Sequence, residues 1–547
     1  MLDRRSTDWW RGAVIYQIYP RSYCDSDGNG VGDLAGIVSK LDYIASLGVD
    51  AVWISPFFKS PMEDFGYDVE DYRVVDPLFG SLQDFRDLLE GAHARDIRVL
   101  IDLVVSHTSD RHRWFVASRQ DQFNLYADWY VWANPLDTGA PPNNWLSVFG
   151  GSAWEWDTRR CQYYLHNFLK SQPDLNFHNP AVQDAVLGEA QFWLDIGVDG
   201  FRLDVVNYYF HDQELRNNPP LQLGVATHTV SRSNPYSYQN HIYDKTRPET
   251  LAFLERFRAL LNEYPGTTAV GELAVDTDVV RTSARYTERG KRLQMVYSFD
   301  LMCPRISAAY IRSTVSAMEA GLESGWVSWA LTNHDFPRVV SRWGFGEHAD
   351  LAAPMLIALV CSLRGSPCIF QGEELGLPEA DVPFERLQDP YGKTFWPRYK
   401  GRDGCRTPIP WEADAPYAGF SDVEPWLPIP HEHFRCAVDH QACRSDSPLH
   451  RVRKFLAWRR KHPSLTVGSI RFIDAPEPLL AFVRENNGRR LLALFNLGSA
   501  KEQFDLNQAF ELEPALEHGF EAQLQDGGVL LPAFGVAFLV LTEDEVI

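Results

Sequence analysis

The sequence predicts a closed (β/α)8 barrel of the TIM-barrel class, with a small domain inserted after the third strand and an all-β domain at the carboxyl end. Three observations predict it: eight short apolar runs alternating with helical segments, an aromatic and Gly/Pro-containing interruption after the third run, and hairpin-punctuated runs beyond about residue 465.

The first run is AVIYQIYP (13–20). The segment after Asp33 places Ile37, Leu41, Ile44 and Leu47 at helical spacing and stops at Gly48, a residue suited to a left-handed cap, before AVWISPF. Ser81 with Asp84 forms a capping-box pattern that opens a helix carrying Phe85, Leu88, Leu89 and Ala92, and RVLIDLVV (98–105) follows as the third run. Residues 107–176, with stretches such as WANPLDTGAPPNNWLSVFGG, are too long for a simple βα connection and are assigned to the inserted domain. Alternation resumes with Asn179 as an N-cap, Pro180 at the first helical position, and Val182, Val186, Ala190 and Trp193 on one face. GFRLDVVN (200–207), TTAVGEL (267–273), QMVYSFDL (294–301), SWALTNHD (328–335) and SPCIFQGEE (366–374) complete eight strands. The expected division is therefore barrel over 1–106 and 177–465, insertion over 107–176, and a C-terminal β-sandwich over 466–547.

Acidic residues number 73 against 52 basic ones, so the surface field opposes nucleic-acid phosphates and anionic membranes and suits a neutral substrate, although the same balance also serves solubility alone. The start, MLDRRSTDWWRG, has no apolar signal region, and no later stretch is a continuous apolar span, which predicts a cytoplasmic protein without a membrane partner. The eight cysteines are scattered with no CxxC pair and read as reduced thiols. The oligomeric expectation is a monomer or homodimer.

In a barrel, residues at the carboxyl ends of strands carry chemistry. In GFRLDVVN the pleat sends Arg202 and Asp204 to one side, where the guanidinium favours an ionised carboxylate suited to a nucleophile; a structural ion pair reads the same way. Glu272 in VGEL and Asp335 in TNHD end the next strand and the seventh, so three acids converge on one rim. A glycosidase needs one ionised and one protonated carboxyl across the scissile bond, about 5 Å apart for retention. His107 and His334 stand nearby as hydrogen-bond donors for sugar hydroxyls.

At these residues the chain resembles the α-amylase family of glycoside hydrolases over nearly its whole length. DLVVSH (102–107), GFRLDVVN, VGEL and TNHD are similar to the family's four main regions, in order, and GAVIYQIYP, QPDLNF (172–177) and GSPCIFQGEE to its supporting regions. The resemblance implies Asp204 as nucleophile, Glu272 as general acid/base and Asp335 as the third carboxylate, with Arg202 tuning Asp204 and Asp102 supporting the barrel interior. QPDLNF resembles the version carried by oligo-1,6-glucosidases and α-glucosidases, which implies exo action on small α-glucosides such as maltose, isomaltose or sucrose, with capacity for glucosyl transfer. In those relatives Asp64, Tyr67 and Arg402 close the pocket around one glucose; a solvated surface pair is the alternative for Asp64 and Arg402. Val205, next to Asp204, hints at α-1,6 linkages. Two other readings stay open: a disaccharide-rearranging enzyme of the same fold, of the sucrose isomerase or trehalose synthase type, and a non-catalytic relative.

The loop from Asp25 to Asp33 places Asp25, Asp27, Asn29 and Asp33 at positions 1, 3, 5 and 9 with the Val31 carbonyl at 7, the pattern of a structural Ca2+ loop that also tolerates Mg2+; a turn without metal has the same sequence. Gly36 stands where a bidentate Glu would complete an EF-hand. Ser106 replaces the Asn that many family members carry before the histidine, which implies one metal loop only, and no organic cofactor is expected. The long segment 207–250 is expected to roof the acceptor side with Phe210, His211, Tyr236, Tyr238 and His241, or else to be an ordinary packed loop.

Overall fold

The computed structural model describes residues 6–222, 230–275, 277–506, 511–513, 515–525 and 527–541. Eight parallel strands, β1 Ile15–Ile18, β2 Ala51–Ile54, β3 Arg98–Leu103, β4 Gly200–Leu203, β5 Thr268–Glu272, β6 Met295–Ser298, β7 Val327–Ala330 and β8 Ser366–Phe370, pair in chain order and close through β1 and β8. They are the eight runs expected from the sequence. Every residue in them is buried, because the inner face packs into the barrel and the outer face against helices, which is why they read as continuous apolar runs.

Alternation along β1 sends Ile15 and Gln17 to the opposite face from Tyr16 and Ile18. Ile15 joins Trp53, Leu100, Met295 and Tyr297 in an inner core that also contains Trp9, Trp10 and Trp326. These three tryptophans lie at the amino ends of the strands: Trp9 donates to Gly266 O just before β5, Trp10 O accepts from Ser366 at the start of β8, and Trp326 precedes β7. That end is plugged by side chains, so ligand access is from the carboxyl ends.

The helix signals hold. The Ser81/Asp84 capping box forms, and Asn179 caps the helix Pro180–Ile196, which ends at left-handed Gly197. The segment after Asp33 forms two helices, Leu34–Ser39 and Leu41–Leu47, broken at Lys40. Between β3 and β4 the chain forms a short helix, Arg113–Ser118, and a three-stranded antiparallel sheet of Trp132–Ala133, Gln162–Leu165 and Trp154–Asp157.

Beyond the barrel, a five-stranded antiparallel sheet and a three-stranded one enclose a core that includes Leu479, Val483, Leu492, Phe504, Val529 and Leu539. Its central hairpin, Leu479–Asn486 with Arg489–Asn496, turns through Asn487 (φ 50) and Gly488 (φ 78), a two-residue turn of the Asn-Gly kind. Leu480, Phe482, Ala493 and Phe495, facing the other way, join the main barrel core.

Arg484 links this sheet to the barrel. Fully buried, it donates to the carbonyls of Ser362, Leu363, Leu465, Gly468 and Ser469, and burial lowers its pKa to about 9. Arg484→Leu, which keeps the bulk but takes the guanidinium donors from these buried carbonyls, is expected to destabilise the protein by about 2–4 kcal/mol. Urea or thermal unfolding checks it, and an unchanged midpoint would contradict the role. Among the described residues no helix is long and apolar enough to cross a membrane.

Candidate active site

The carboxyl ends of β3, β4 and β5 carry a buried charge cluster. Register places Asp102 of β3 opposite Arg202 of β4, and Leu203 opposite Gly271, the residue before Glu272. The close approach of β4 to β5 requires glycine at its start: Gly200 has φ 146, and a Cβ there would lie 1.9 Å from Thr268 O. Asp204 follows β4 directly and Glu272 ends β5.

One guanidinium holds all three acids. Arg202 Nη1 donates to Asp102 Oδ1 at 2.9 Å and to Asp204 Oδ1 at 2.6 Å. Its Nη2 lies 2.7 Å from Glu272 Oε2, but poorly aligned for a hydrogen bond, so that contact is Coulombic. Trp53 Nε1 and the Tyr67 hydroxyl also donate to Asp102, which confirms its place in the barrel interior.

Three carboxylates against one cation, all shielded from water, cannot all ionise cheaply. Burial pushes Glu272 up to about 8, with Arg202 opposing and the Asp204 and Asp335 charges adding to the rise. Burial likewise raises Asp204, to about 7, against the pull of Arg202. Arg202 favours the ionised form of Asp204, as expected from the sequence, but desolvation outweighs that pull. The shared proton resides preferentially on Glu272, and this leaves Asp204 as the anion.

The backbone decides which Glu272 oxygen carries that proton. Val205 has φ 33 and ψ 54, a left-handed conformation that costs a β-branched residue roughly 1–3 kcal/mol. In this conformation its N–H donates to Glu272 Oε2 at 3.0 Å. With a donor and a cation already against Oε2, the proton belongs on Oε1.

A second cluster faces the first. Asp335 Oδ1 accepts from Arg402 Nη1 at 3.1 Å and Arg406 Nη2 at 2.8 Å, and Oδ2 lies 3.3 Å from His334 Nε2. These charges hold its carboxyl well below the usual range, against the effect of burial. Asp335 lies five residues beyond the end of β7 at Ala330, in the loop and not on the strand as expected. Arg402 Nη2 bridges Asp64 Oδ1 at 2.8 Å and Asp389 Oδ1 at 2.8 Å. Asp64 and Arg402 are 4% and 8% exposed, which rules out a solvated surface pair. Asp68 shapes the Asp64 loop by accepting from the Glu63 and Asp64 N–H groups and the Ser60 hydroxyl.

Asp64, Tyr67, His107, Asp204, Glu272, His334, Asp335 and Arg402 line a single cavity of about 280 Å3 at the mouth of the barrel. Arg202 supports it from beneath. Tyr67 contributes its ring, which stacks on His334 at 5.2 Å, because its hydroxyl is committed to Asp102. Burial lowers the His107 pKa to about 4, so the ring is neutral; its Nε2 lies 2.9 Å from Tyr67 O and its Nδ1 2.9 Å from Ser106 Oγ. Gln172, in QPDLNF, donates to Asp64 Oδ2 at 3.1 Å, placed there by pairing of this segment with the loop after β3.

Sequence reasoning missed Gln17, Gln172, Asp389 and Arg406 as site residues, and the aromatic wall of Phe149, Phe168, Tyr208, Phe299, Phe336 and Tyr391. Arg406 stands in the GRDGCRTP stretch beside Arg402, and the Asp-Pro step at 389–390 marks a helix N-cap, but neither pattern reveals a long-range partner. Of the two readings of segment 207–250, packing holds for the aromatics named in it. Phe210, His211 and Tyr236 are buried in packing, Tyr236 stacks on His241 at 3.7 Å, and Tyr238 is exposed. From that segment the cavity takes Tyr208, Val230 and Ser231 instead; residues 223–229 lie outside the described residues.

In the Asp25–Asp33 loop, carboxylate oxygens of Asp25, Asp27 and Asp33 lie within 4.8 Å of one another. This donor set suits a hard divalent cation. Asn29 Oδ1 accepts from Val31 N at 2.8 Å, which leaves it a second lone pair, and its Nδ2 donates to Asp27 Oδ2 at 3.0 Å. Asp33 also caps the following helix by accepting from Gly36 N.

The family model described as "Alpha amylase, catalytic domain" matches residues 17–468. The chain is 52% identical over 536 residues to a probable α-glucosidase of Rhizobium meliloti (strain 1021), covering 97% of each. It is 38% identical to the oligo-1,6-glucosidase of Parageobacillus thermoglucosidasius, over 91% of this chain and 92% of that one. Among solved structures, an α-glucosyl transfer enzyme, XgtA, superposes with a TM-score of 0.95 at 55% identity, covering 97% of this chain and 99% of the other. The trehalulose synthase MutB of Pseudomonas mesoacidophila MX-45 superposes with a TM-score of 0.86 at 30% identity, covering 97% and 99%. The chain belongs to the α-amylase family of glycoside hydrolases, in its α-glucosidase and oligo-1,6-glucosidase branch.

Proposed function

We propose that the protein is an exo-acting, retaining α-glucosidase that releases glucose from the non-reducing end of short α-glucosides or transfers it to another hydroxyl. The observation that carries this reading is the pair Asp204 and Glu272 on one guanidinium, with Glu272 the more basic. Two carboxyls gripped by one fork suit the separation of about 5–5.5 Å that retention needs. Asp204 attacks the anomeric carbon as Glu272 Oε1 gives its proton to the departing glycosidic oxygen, leaving a glucosyl ester on Asp204. Glu272, now a carboxylate, takes a proton from water or an acceptor hydroxyl, whose oxygen displaces Asp204 and regenerates both groups. Asp335, held ionised, accepts hydrogen bonds from ring hydroxyls and offsets the developing positive charge.

The cavity volume and the Arg402 bridge to Asp64 and Asp335 support exo action, since they leave room for a small ligand and wall off a continuing chain. An apolar wall of Val205, Val230, Phe299, Phe336 and Pro337 favours acceptors over water, and similarity to a glucosyl transfer enzyme supports the transfer branch. Likeness to trehalulose and isomaltulose synthases favours a second reading, sucrose rearrangement. Incubation with maltose, isomaltose and sucrose tests both. Free glucose released first as the α-anomer, with transfer products at high substrate, is expected. A β-anomer would overturn retention, and an isomer of sucrose formed without glucose would establish the second reading.

The Asp25, Asp27 and Asp33 carboxylates, with the Asn29 side-chain oxygen and the Val31 carbonyl, would hold a structural Ca2+ or Mg2+. The convergence of three carboxylates within 4.8 Å of one another supports this, since a hard divalent cation takes such oxygen ligands. Chelation by EDTA is expected to lower the thermal midpoint and Ca2+ to restore it; an indifferent midpoint would exclude the ion. All eight cysteines are free thiols, which supports a reducing, cytoplasmic location.

A further inference from the structure

His334 is immobilised on every side. Tyr19 stacks on one face at 5.7 Å and 16°, Tyr67 on another at 5.2 Å and 6°, and Trp53 meets it edge-on at 6.1 Å. Stacking fixes the ring plane but not which nitrogen bears hydrogen. Gln17, fully buried on β1, sets its amide nitrogen 2.7 Å from Nδ1 of His334, which follows β7, one strand beyond its neighbour β8. The same nitrogen lies 3.3 Å from Ser55 Oγ, while the Gln17 Oε1 has no partner among the described residues.

We propose that Gln17 is a positioning residue that fixes His334 as the Nε2–H tautomer, presenting one N–H donor beside the Asp335 carboxylate in the cavity. Two independent arguments give this orientation. Turning the amide over would strand two N–H donors in place of one carbonyl, and buried N–H groups go unpaired less often than carbonyls. On the far side, Nε2 lies 3.3 Å from Asp335 Oδ2, where a hydrogen attracts and a lone pair repels. The charged groups facing the ring are Asp335, which favours the imidazolium, and Arg406, Arg202 and Arg402, which oppose it together with burial; the ring stays neutral, its pKa lowered to about 3. Arg406 also anchors the main chain here, donating from Nε to His334 O at 2.7 Å. Beside a sugar, Nε2–H and Asp335 Oδ2 make a donor–acceptor pair that fixes one hydroxyl, and the bond accepted by Asp335 strengthens as positive charge develops on the ring. The catalytic consequence rests on the glucosidase reading, whereas the tautomer does not.

Long-range 1H–15N correlation spectra of 15N-histidine-labelled protein test it, with the His334 signal assigned by its loss in His334→Ala. Wild type is expected to show Nε2 protonated and Nδ1 bare from about pH 5 to 8. Gln17→Glu, whose carboxylate demands a hydrogen on Nδ1, is expected to protonate that nitrogen at neutral pH and to lower kcat roughly 100-fold with KM within about threefold. Gln17→Leu, which removes the donor without imposing the other tautomer, is expected to lose roughly tenfold. A protonated Nδ1 in wild type would overturn the proposal, as would unchanged spectra and kcat in Gln17→Glu. The expected spectra in a protein inactive on every α-glucoside would leave the tautomer standing and sink the glucosidase reading instead.

Discussion

Asp204→Asn is expected to cut turnover of every α-glucoside by roughly five orders of magnitude while the protein stays folded. The amide cannot form the glucosyl ester, so the two-step route closes for good and poor leaving groups alike. The fold survives because Arg202 keeps Asp102 and Glu272 as partners. Steady-state rates on maltose and on a nitrophenyl α-glucoside check it. Retention of more than about one per cent of activity on either would remove Asp204 from the chemistry.

Glu272→Gln is expected to separate substrates by leaving group. For maltose, whose departing oxygen needs a proton, kcat falls by roughly 10³–10⁴-fold; for a nitrophenyl glucoside, which leaves unaided, the first step loses much less. The variant also changes the pH profile of kcat/KM. In the wild type Glu272 must be protonated, and its pKa is raised to about 8, so activity is lost as pH rises through that value. Asp204 must be ionised, and its pKa is raised to about 7, so activity is lost as pH falls through that value. Glu272→Gln removes the alkaline limb and leaves the acid one. An alkaline limb that survives the substitution would mean that another group supplies the proton.

The barrel was legible because its strands are buried on both faces and its helices carry explicit caps, signals that lie within a few residues of one another. Asp204 and Glu272 stood out as polar residues at the ends of apolar runs, where a structural ion pair reads the same way, and the resemblance to the family gave them their roles. The Gln17–His334 contact spans 317 positions and the Asp64–Arg402 contact 338, and only closure of the barrel brings such residues together. Asp389 in the sequence is an N-cap, a role it fills by accepting from Tyr391 N, and its second use on Arg402 leaves no local mark. Segment 207–250 left two readings open because aromatics mark packing as readily as binding: Tyr236 spends its hydroxyl on Tyr208 and its face on His241. The rise of the Asp204 pKa was hidden too, since desolvation depends on the whole enclosure and an adjacent arginine in sequence shows only the opposing attraction.

The proposed reaction turns on a covalent bond between Asp204 and glucose. Incubating the wild-type protein with a fluorinated α-glucosyl fluoride, which forms the ester quickly and releases it slowly, followed by proteolysis and mass spectrometry, tests that bond directly. One added fluoroglucosyl group is expected, on the peptide that carries Asp204 and on that side chain; an adduct on any other residue, or none under conditions where the enzyme turns over glucosides, would remove Asp204 as the nucleophile.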